Sequence, residues 1–137
     1  MELTLIDKSS YLKGLLIVAK KDKQLTEPEK KIIRDIAVKL GFATDFYEDT
    51  LRSLLANKYI LENPVKFSQK KIAESFIIDG MKLAFADNMV SDVEIDWLKL
   101  TALENGIEES WFEEKLKKYH ESSTFLHSSE FALFSII

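Results

Sequence analysis

The chain has no cysteine, only two prolines, four glycines and two histidines among its 137 residues. The lack of cysteine excludes disulfides, thiolate metal sites, iron–sulfur clusters and cysteine catalysis. Scarce proline and glycine favour helices joined by short connections. No apolar run approaches membrane-spanning length, and no positively charged leader precedes an apolar stretch. We therefore expect one cytoplasmic domain without direct membrane insertion, large enough to fold without a metal.

Two segments of the chain, 19–42 and 84–107, match each other without a gap at a constant offset of 65 residues. The identical pairs are Ala19/Ala84, Asp22/Asp87, Glu29/Glu94, Ala37/Ala102 and Gly41/Gly106. The register extends outward to units of about residues 11–51 and 76–116. A period of this length predicts duplicated supersecondary units that bury a joint core. Two copies are too few for a solenoid, which favours a closed bundle with pseudo-two-fold symmetry.

The spacing of apolar residues predicts an all-α fold of six main helices, three in each unit, starting near residues 9, 26, 45, 68, 91 and 110. Two of these starts carry capping boxes, in which a hydroxyl and a carboxylate satisfy exposed backbone N–H groups. These boxes are Thr26-x-x-Glu29 and Ser91-x-x-Glu94. Gly41 and Gly106 lie where a helix needs a left-handed end. The sequence therefore predicts a single-domain helical bundle over 1–137.

The C-terminal segment 122–137 has too many large apolar side chains for a solvated end. These are Phe125, Leu126, Phe131, Leu133, Phe134, Ile136 and Ile137. The favoured interpretation is a last helix or strand that covers the core, since exposed apolar patches of that size are uncommon on monomers. The alternative is a surface for a homodimer or for another partner.

The net charge of −4 is unevenly distributed between the two units. Residues 11–51 contain eight Lys or Arg and seven Asp or Glu, whereas residues 76–116 contain three Lys and ten Asp or Glu. The acidic second unit argues against nucleic acid as a partner, because phosphates need a basic face. It favours a cation or a basic protein segment.

The acidic loop between the fourth and fifth predicted helices is the one candidate for chemistry. Asp87, Asp92 and Glu94 could supply three oxygens to a hard cation such as Ca²⁺ or Mg²⁺. Asp22 and Glu29 are the first-copy equivalents, but lysines surround Asp22 and would repel a cation. The structural alternative is stronger, because capping, the helix dipole and turn geometry explain the same acids.

No enzyme is expected from this chain. No nucleophile–base pairing is visible, and no Gly-rich phosphate loop exists. An EF-hand loop beginning at Asp87 would need an oxygen ligand at Met89 and a bidentate acid at Leu98, and neither position supplies one. The aromatic residues fall at helical spacing, which indicates core packing.

The pattern Ala84-Phe-Ala-Asp87-Asn-x-Val-Ser91-x-x-Glu94, with its first copy, resembles the tellurite-resistance TerB-like family. That superfamily also includes the N-terminal domain of a membrane-anchored DnaJ-type co-chaperone. The resemblance implies an all-helical bundle of two related halves, an acidic surface that engages divalent cations, and a non-catalytic role in stress-related assemblies. By position it implies Asp87 and Glu94 as cation ligands, with Asp22 and Glu29 in the first copy.

Two departures from the family pattern bear on the cation site. Asn88 and Lys23 stand where the family has glycine after the aspartate, and the lysine weakens the first site. We therefore expect a non-catalytic protein-interaction module whose acidic second half meets a basic or cation-bridged partner. The alternative is a Ca²⁺- or Mg²⁺-binding protein that uses the loop from Asp87 to Glu94.

Overall fold

The computed structural model describes residues 3–21, 27–56, 63–86, 92–121 and 131–137. Within these residues the chain is helical and has no strand. The described residues form six α-helices and a short C-terminal 3₁₀ helix. These are α1 (Leu5–Lys21), α2 (Glu27–Leu40), α3 (Thr44–Ala56), α4 (Lys70–Ala84), α5 (Asp92–Glu104), α6 (Glu109–Glu121) and the 3₁₀ helix (Ala132–Ser135). The prediction of an all-α bundle is confirmed.

Helix starts in the two halves keep the offset of 65 residues. Helices α1, α2 and α3 begin at residues 5, 27 and 44, and α4, α5 and α6 begin at 70, 92 and 109. Contacts follow the same scheme, because α1 packs on α2 and α3 while α4 packs on α5 and α6. The two halves meet mainly through α1, which packs on both α4 and α5. Five of the six predicted starts lie within two residues of the observed ones.

Helix α1 begins four residues earlier than the predicted start near residue 9. The cause is a cap at Thr4, whose Oγ1 accepts the backbone N–H of Asp7 at 3.1 Å and donates to Oδ2 of Asp7 at 3.0 Å. The first bond is an ordinary N-cap, in which a threonine hydroxyl satisfies a backbone N–H of the first turn, and the second holds the Asp7 carboxylate against that hydroxyl. The cap therefore starts the helix among residues where the apolar periodicity is weak.

The core is centred on α4, which is buried around most of its circumference. It contacts α1, α5, α6 and the 3₁₀ helix. Tyr11 of α1 packs edge-on against Phe76 of α4, with ring centroids 5.4 Å apart. Phe76 in turn meets Trp97 of α5 at 6.2 Å, so aromatic contacts join both halves through one ring. Burial of this kind supplies most of the stability of a small helical domain.

The second helix of each half ends at a glycine. Gly41 and Gly106 have φ angles of 92° and 76°, which L side chains rarely adopt. The next residue then donates its N–H back to the helix, from Phe42 to the carbonyl of Ala37 and, in the second half, from Ile107 to that of Ala102. Both distances are 3.0 Å, so the predicted left-handed ends are confirmed.

Two polar side chains hold the connection that precedes α4. Asp7 accepts the backbone N–H of Ser68 at 2.9 Å and its hydroxyl at 2.6 Å. Asn105 accepts the N–H of Phe67 at 2.9 Å and donates to the carbonyl of Val65 at 2.8 Å. Burial alone would raise the pKa of Asp7, but the hydrogen bonds from Ser68 and Thr4 outweigh it and lower the pKa.

The described part of the apolar tail packs on α4. Phe131, Leu133 and Ile136 are buried in the core, whereas Phe134 and Ile137 are 37% and 43% exposed. Residues 122–130, which include the other apolar side chains of the tail, lie outside the described residues. No helix among the described residues is both long and apolar enough to cross a membrane.

Candidate functional site

The structure describes only part of the acidic loop that the sequence singles out. Asp87, and its first-copy equivalent Asp22, lie outside the described residues. Asp92 is exposed at the first position of α5. Glu94 and Glu29 are each 1% exposed in the first turns of α5 and α2. Of the two proposed ligands that the structure describes in this loop, Asp92 therefore lies in solvent and Glu94 in the interior.

The equal burial of Glu29 and Glu94 bears on their role. One lies in the half with balanced charge and the other in the acidic half, yet both are buried to the same degree. Burial in both charge environments is more typical of a structural carboxylate than of a ligand open to a cation from solvent. Among the described residues, no group of three or more His, Asp or Glu side chains is arranged to hold a metal ion.

Helix α5 exposes apolar side chains as well as burying them. Val93, Leu100 and Leu103 are 53%, 48% and 47% exposed, and they lie along one side of the helix. Its other side buries Trp97, Leu98 and Ala102 in the core. A helix whose only task is to cover a core normally shows polar residues to solvent. Sequence reasoning missed this face, because apolar residues on both sides weaken the helical period.

Acidic residues flank the exposed apolar side chains of α5. Asp92, Asp96 and Glu104 are all exposed on the same side of the helix. We call the set Asp92, Val93, Asp96, Leu100, Leu103 and Glu104 the outer face of α5. It combines apolar area with negative charge over three helical turns.

The corresponding side of α2 has a different character, although the two helices match in register. Lys31, Asp35 and Lys39 occupy the positions of Asp96, Leu100 and Glu104. Of the three apolar positions, one keeps a large aliphatic residue in α2, Val38, which is 60% exposed. The two copies therefore differ in charge on their outward sides, whereas their buried sides share a glutamate, an alanine and an aliphatic residue at equivalent positions.

A lysine bridges α5 and α6 beside this face. The ammonium of Lys99 lies 2.8 Å from Glu109 and 3.1 Å from Glu113. Hydrogen bonds to Glu109 and then to Glu113 raise the pKa of Lys99, and the same contact with Lys99 lowers the pKa of Glu109. The pairs are exposed to solvent, so each adds little stability. They join the two helices across their solvent side.

Helix α4 contains a buried carboxylate that the sequence analysis does not single out. Asp79 has no exposed surface and accepts hydrogen bonds from the Tyr11 hydroxyl and from the backbone N–H groups of Ala132 (2.7 Å) and Leu133 (3.1 Å). Burial raises the pKa of Asp79 to about 6, against the opposing effects of these hydrogen bonds and of Lys82. Burial, followed by the charge of Asp79, also raises the pKa of Tyr11.

The signal for Asp79 lies in its surroundings along the chain. It stands inside the run Phe76-Ile-Ile-Asp79-Gly-Met81, where nearly every side of the helix is apolar. An acid in such a helix is buried whichever way it points, and it then needs hydrogen-bond donors. The identity of the donors is a tertiary fact, since residues 132 and 133 are more than fifty positions away.

Comparison of the chain with models of known protein families, with curated proteins and with solved structures found no match.

Proposed function

We propose that this chain is a non-catalytic, TerB-like protein-interaction module whose outer face of α5 binds a basic, amphipathic segment of a partner protein. The observation that carries the proposal is the exposure of Val93, Leu100 and Leu103 between acidic side chains. Burial of the apolar side chains supplies free energy of binding. The flanking carboxylates select a partner with Lys or Arg at the rim of its interface.

The difference between the two copies supports the choice of surface. A scaffold role would require only the buried sides of α2 and α5, which share a glutamate, an alanine and an aliphatic residue at equivalent positions. On the outward side, α5 has Leu100 and Asp96 where α2 has Asp35 and Lys31. The second half alone thus combines apolar and acidic groups in the pattern that suits a basic amphipathic helix.

The shared offset of the helix starts supports the architectural part of the proposal. In it, the two three-helix units are related by pseudo-two-fold symmetry, as the TerB-like resemblance implies. The same resemblance implies work in stress-related assemblies rather than catalysis. The partner meets α5 directly or through a bridging cation.

A binding assay with a defined probe tests this function. The probe is a labelled amphipathic peptide helix with leucines on one side and lysines at its borders, followed by fluorescence anisotropy at low and high salt. We expect binding that weakens with salt, because the Debye length shortens, and that weakens further in the Asp92→Asn, Asp96→Asn double variant. Binding indifferent both to salt and to these substitutions would contradict the proposal.

A further inference from the structure

A cleft of about 520 Å³ lies between α2 and α3, on the half of the molecule that is not acidic. Its lining residues are Glu27, Lys30, Lys31, Arg34, Tyr47, Glu48 and Arg52. Four of these seven side chains are cationic and two are anionic. The Tyr47 side chain is 5% exposed and donates a 3.3 Å hydrogen bond to the carbonyl of Lys30, which fixes its ring between the two helices. The volume is within the range of ligand-binding clefts in proteins.

The corresponding place in the second half of the chain lies between α5 and α6, where an ion pair joins the two helices. Lys99 of α5 occupies the position of Arg34 of α2. Its ammonium is held by the carboxylates of Glu109 and Glu113, at 2.8 and 3.1 Å, both supplied by α6. The cation between the helices is therefore neutralised within the chain.

The first half lacks one of these two carboxylates. Thr44 stands at the position of Glu109, and Glu48 at that of Glu113. Across the ranges that the structure describes, no carboxylate oxygen lies within 4.0 Å of Arg34 or Lys31. The first copy thus keeps the cation of the groove and loses the acid that satisfies it in the second copy.

Two further differences make the first groove more basic. Lys31 stands where the second copy has Asp96, and Lys30 stands where it has Ile95. Lys30 forms an exposed ion pair with Glu27 at 3.3 Å. Exposed pairs of this kind are weak, so a carboxylate of a bound partner can replace Glu27. The lining keeps a positive balance even when Glu27 and Glu48 are counted.

We propose that the cleft between α2 and α3 binds an acidic segment of a partner protein. Carboxylates of that segment take the place that Glu109 holds in the second half and pair with Arg34 and Lys31. A guanidinium binds carboxylate in two parallel hydrogen bonds, which gives geometric selection as well as attraction. The methylene stems of the lining lysines and the edge of the Tyr47 ring supply apolar contact below the charges.

This proposal is independent of the outer face of α5, since it uses the other half of the chain and the opposite charge. The test uses a fluorescein-labelled glutamate decapeptide and the intact chain at low salt. We expect saturable binding that weakens about tenfold or more in the Lys31→Gln, Arg34→Gln variant, because two ionic contacts are lost. The charge-matched control is Lys66→Gln, Lys118→Gln, which changes exposed lysines outside the cleft and keeps binding within about twofold of wild type.

A second variant tests the comparison of the two grooves directly. Thr44→Glu restores to the first half the carboxylate that Glu109 provides in the second, at the first residue of α3, where an acid also suits the helix dipole. We expect it to fold normally and to weaken peptide binding about tenfold, because Arg34 is then neutralised within the chain. Ser53→Glu, on the same helix but outside the cleft lining, is its charge-matched control and leaves binding nearly unchanged.

Three outcomes would overturn the proposal. They are no binding of the peptide to the wild-type chain, equal loss in the cleft variants and their controls, and binding of pyrophosphate at the cleft without binding of the peptide. Circular dichroism melts confirm that all variants are folded.

Discussion

The carboxylate of Asp79, in the middle of α4, accepts a 2.7 Å hydrogen bond from the backbone N–H of Ala132, at the first residue of the C-terminal 3₁₀ helix. The N-cap position of that helix is Phe131, whose side chain makes no capping hydrogen bond. Asp79 therefore provides the cap from another helix. Capping in this way joins the end of the chain to the most buried element of the fold.

Removing this carboxyl group tests its structural role. In Asp79→Ala the N–H groups of Ala132 and Leu133 lose their acceptor inside the protein. We expect the free energy of unfolding at pH 5 to fall by about 2 to 4 kcal/mol, since each buried unsatisfied donor is costly. Urea denaturation measures the change, with Asp96→Ala, at an exposed position of α5, as the control within about 0.5 kcal/mol of wild type. Equal stability of the two variants would contradict the assigned role.

The raised pKa of Asp79 predicts a pH dependence of stability. The folded-state pKa is about 6 and the ordinary value is 3.8, so the folded chain holds this proton more tightly than the unfolded chain. The stabilisation is complete below about pH 4 and is lost as the pH rises through 6. We expect wild type to lose about 2 kcal/mol between pH 4 and pH 7 relative to Asp79→Asn, which cannot titrate.

The difference in the free energy of unfolding between wild type and Asp79→Asn reports the titration of this one carboxyl group. Asp7 titrates in both proteins with a lowered pKa, so its contribution, lost as the pH falls, cancels. Chemical denaturation at a series of pH values gives the two curves. Parallel curves between pH 4 and pH 7 would show that Asp79 is not perturbed.

Calcium titration separates the interaction module from the cation-binding alternative. Glu94 is 1% exposed while Asp92 is exposed, so the two carboxylates do not share one environment. We therefore expect millimolar calcium to leave the melting temperature unchanged. A cation bound only by the folded chain, at about a hundred times its dissociation constant, would stabilise it by about 2.7 kcal/mol. A rise in melting temperature that Asp92→Asn abolishes would favour the alternative.

Much of the fold follows from local signals in the sequence. Capping boxes and the left-handed Gly41 and Gly106 locate helix ends, because these features act within one or two turns of the backbone. The predicted start of α1 is too late, because its N-cap at Thr4 precedes residues of weak apolar periodicity. Asp79 could not be assigned a role, because its donors come from the far end of the chain.

The candidate site is less accessible to sequence reasoning than the fold. Register comparison identified the acidic half, but it does not show whether matched apolar residues are buried, and Val38 and Leu103 are both exposed. Glu29 and Glu94 are buried because of tertiary packing, which a capping-box pattern does not specify. Asp87 and Asp22, the remaining predicted ligands, lie outside the described residues.

The central claim is that the outer face of α5 binds a partner and that the matching side of α2 does not. The most direct measurement compares Leu103→Ser with Val38→Ser, at equivalent and similarly exposed positions, for binding of the basic amphipathic peptide. The account predicts that Leu103→Ser weakens binding about tenfold, because apolar contact is lost at the interface, while Val38→Ser leaves it unchanged. Equal effects of the two substitutions, or a larger effect of Val38→Ser, would contradict the account.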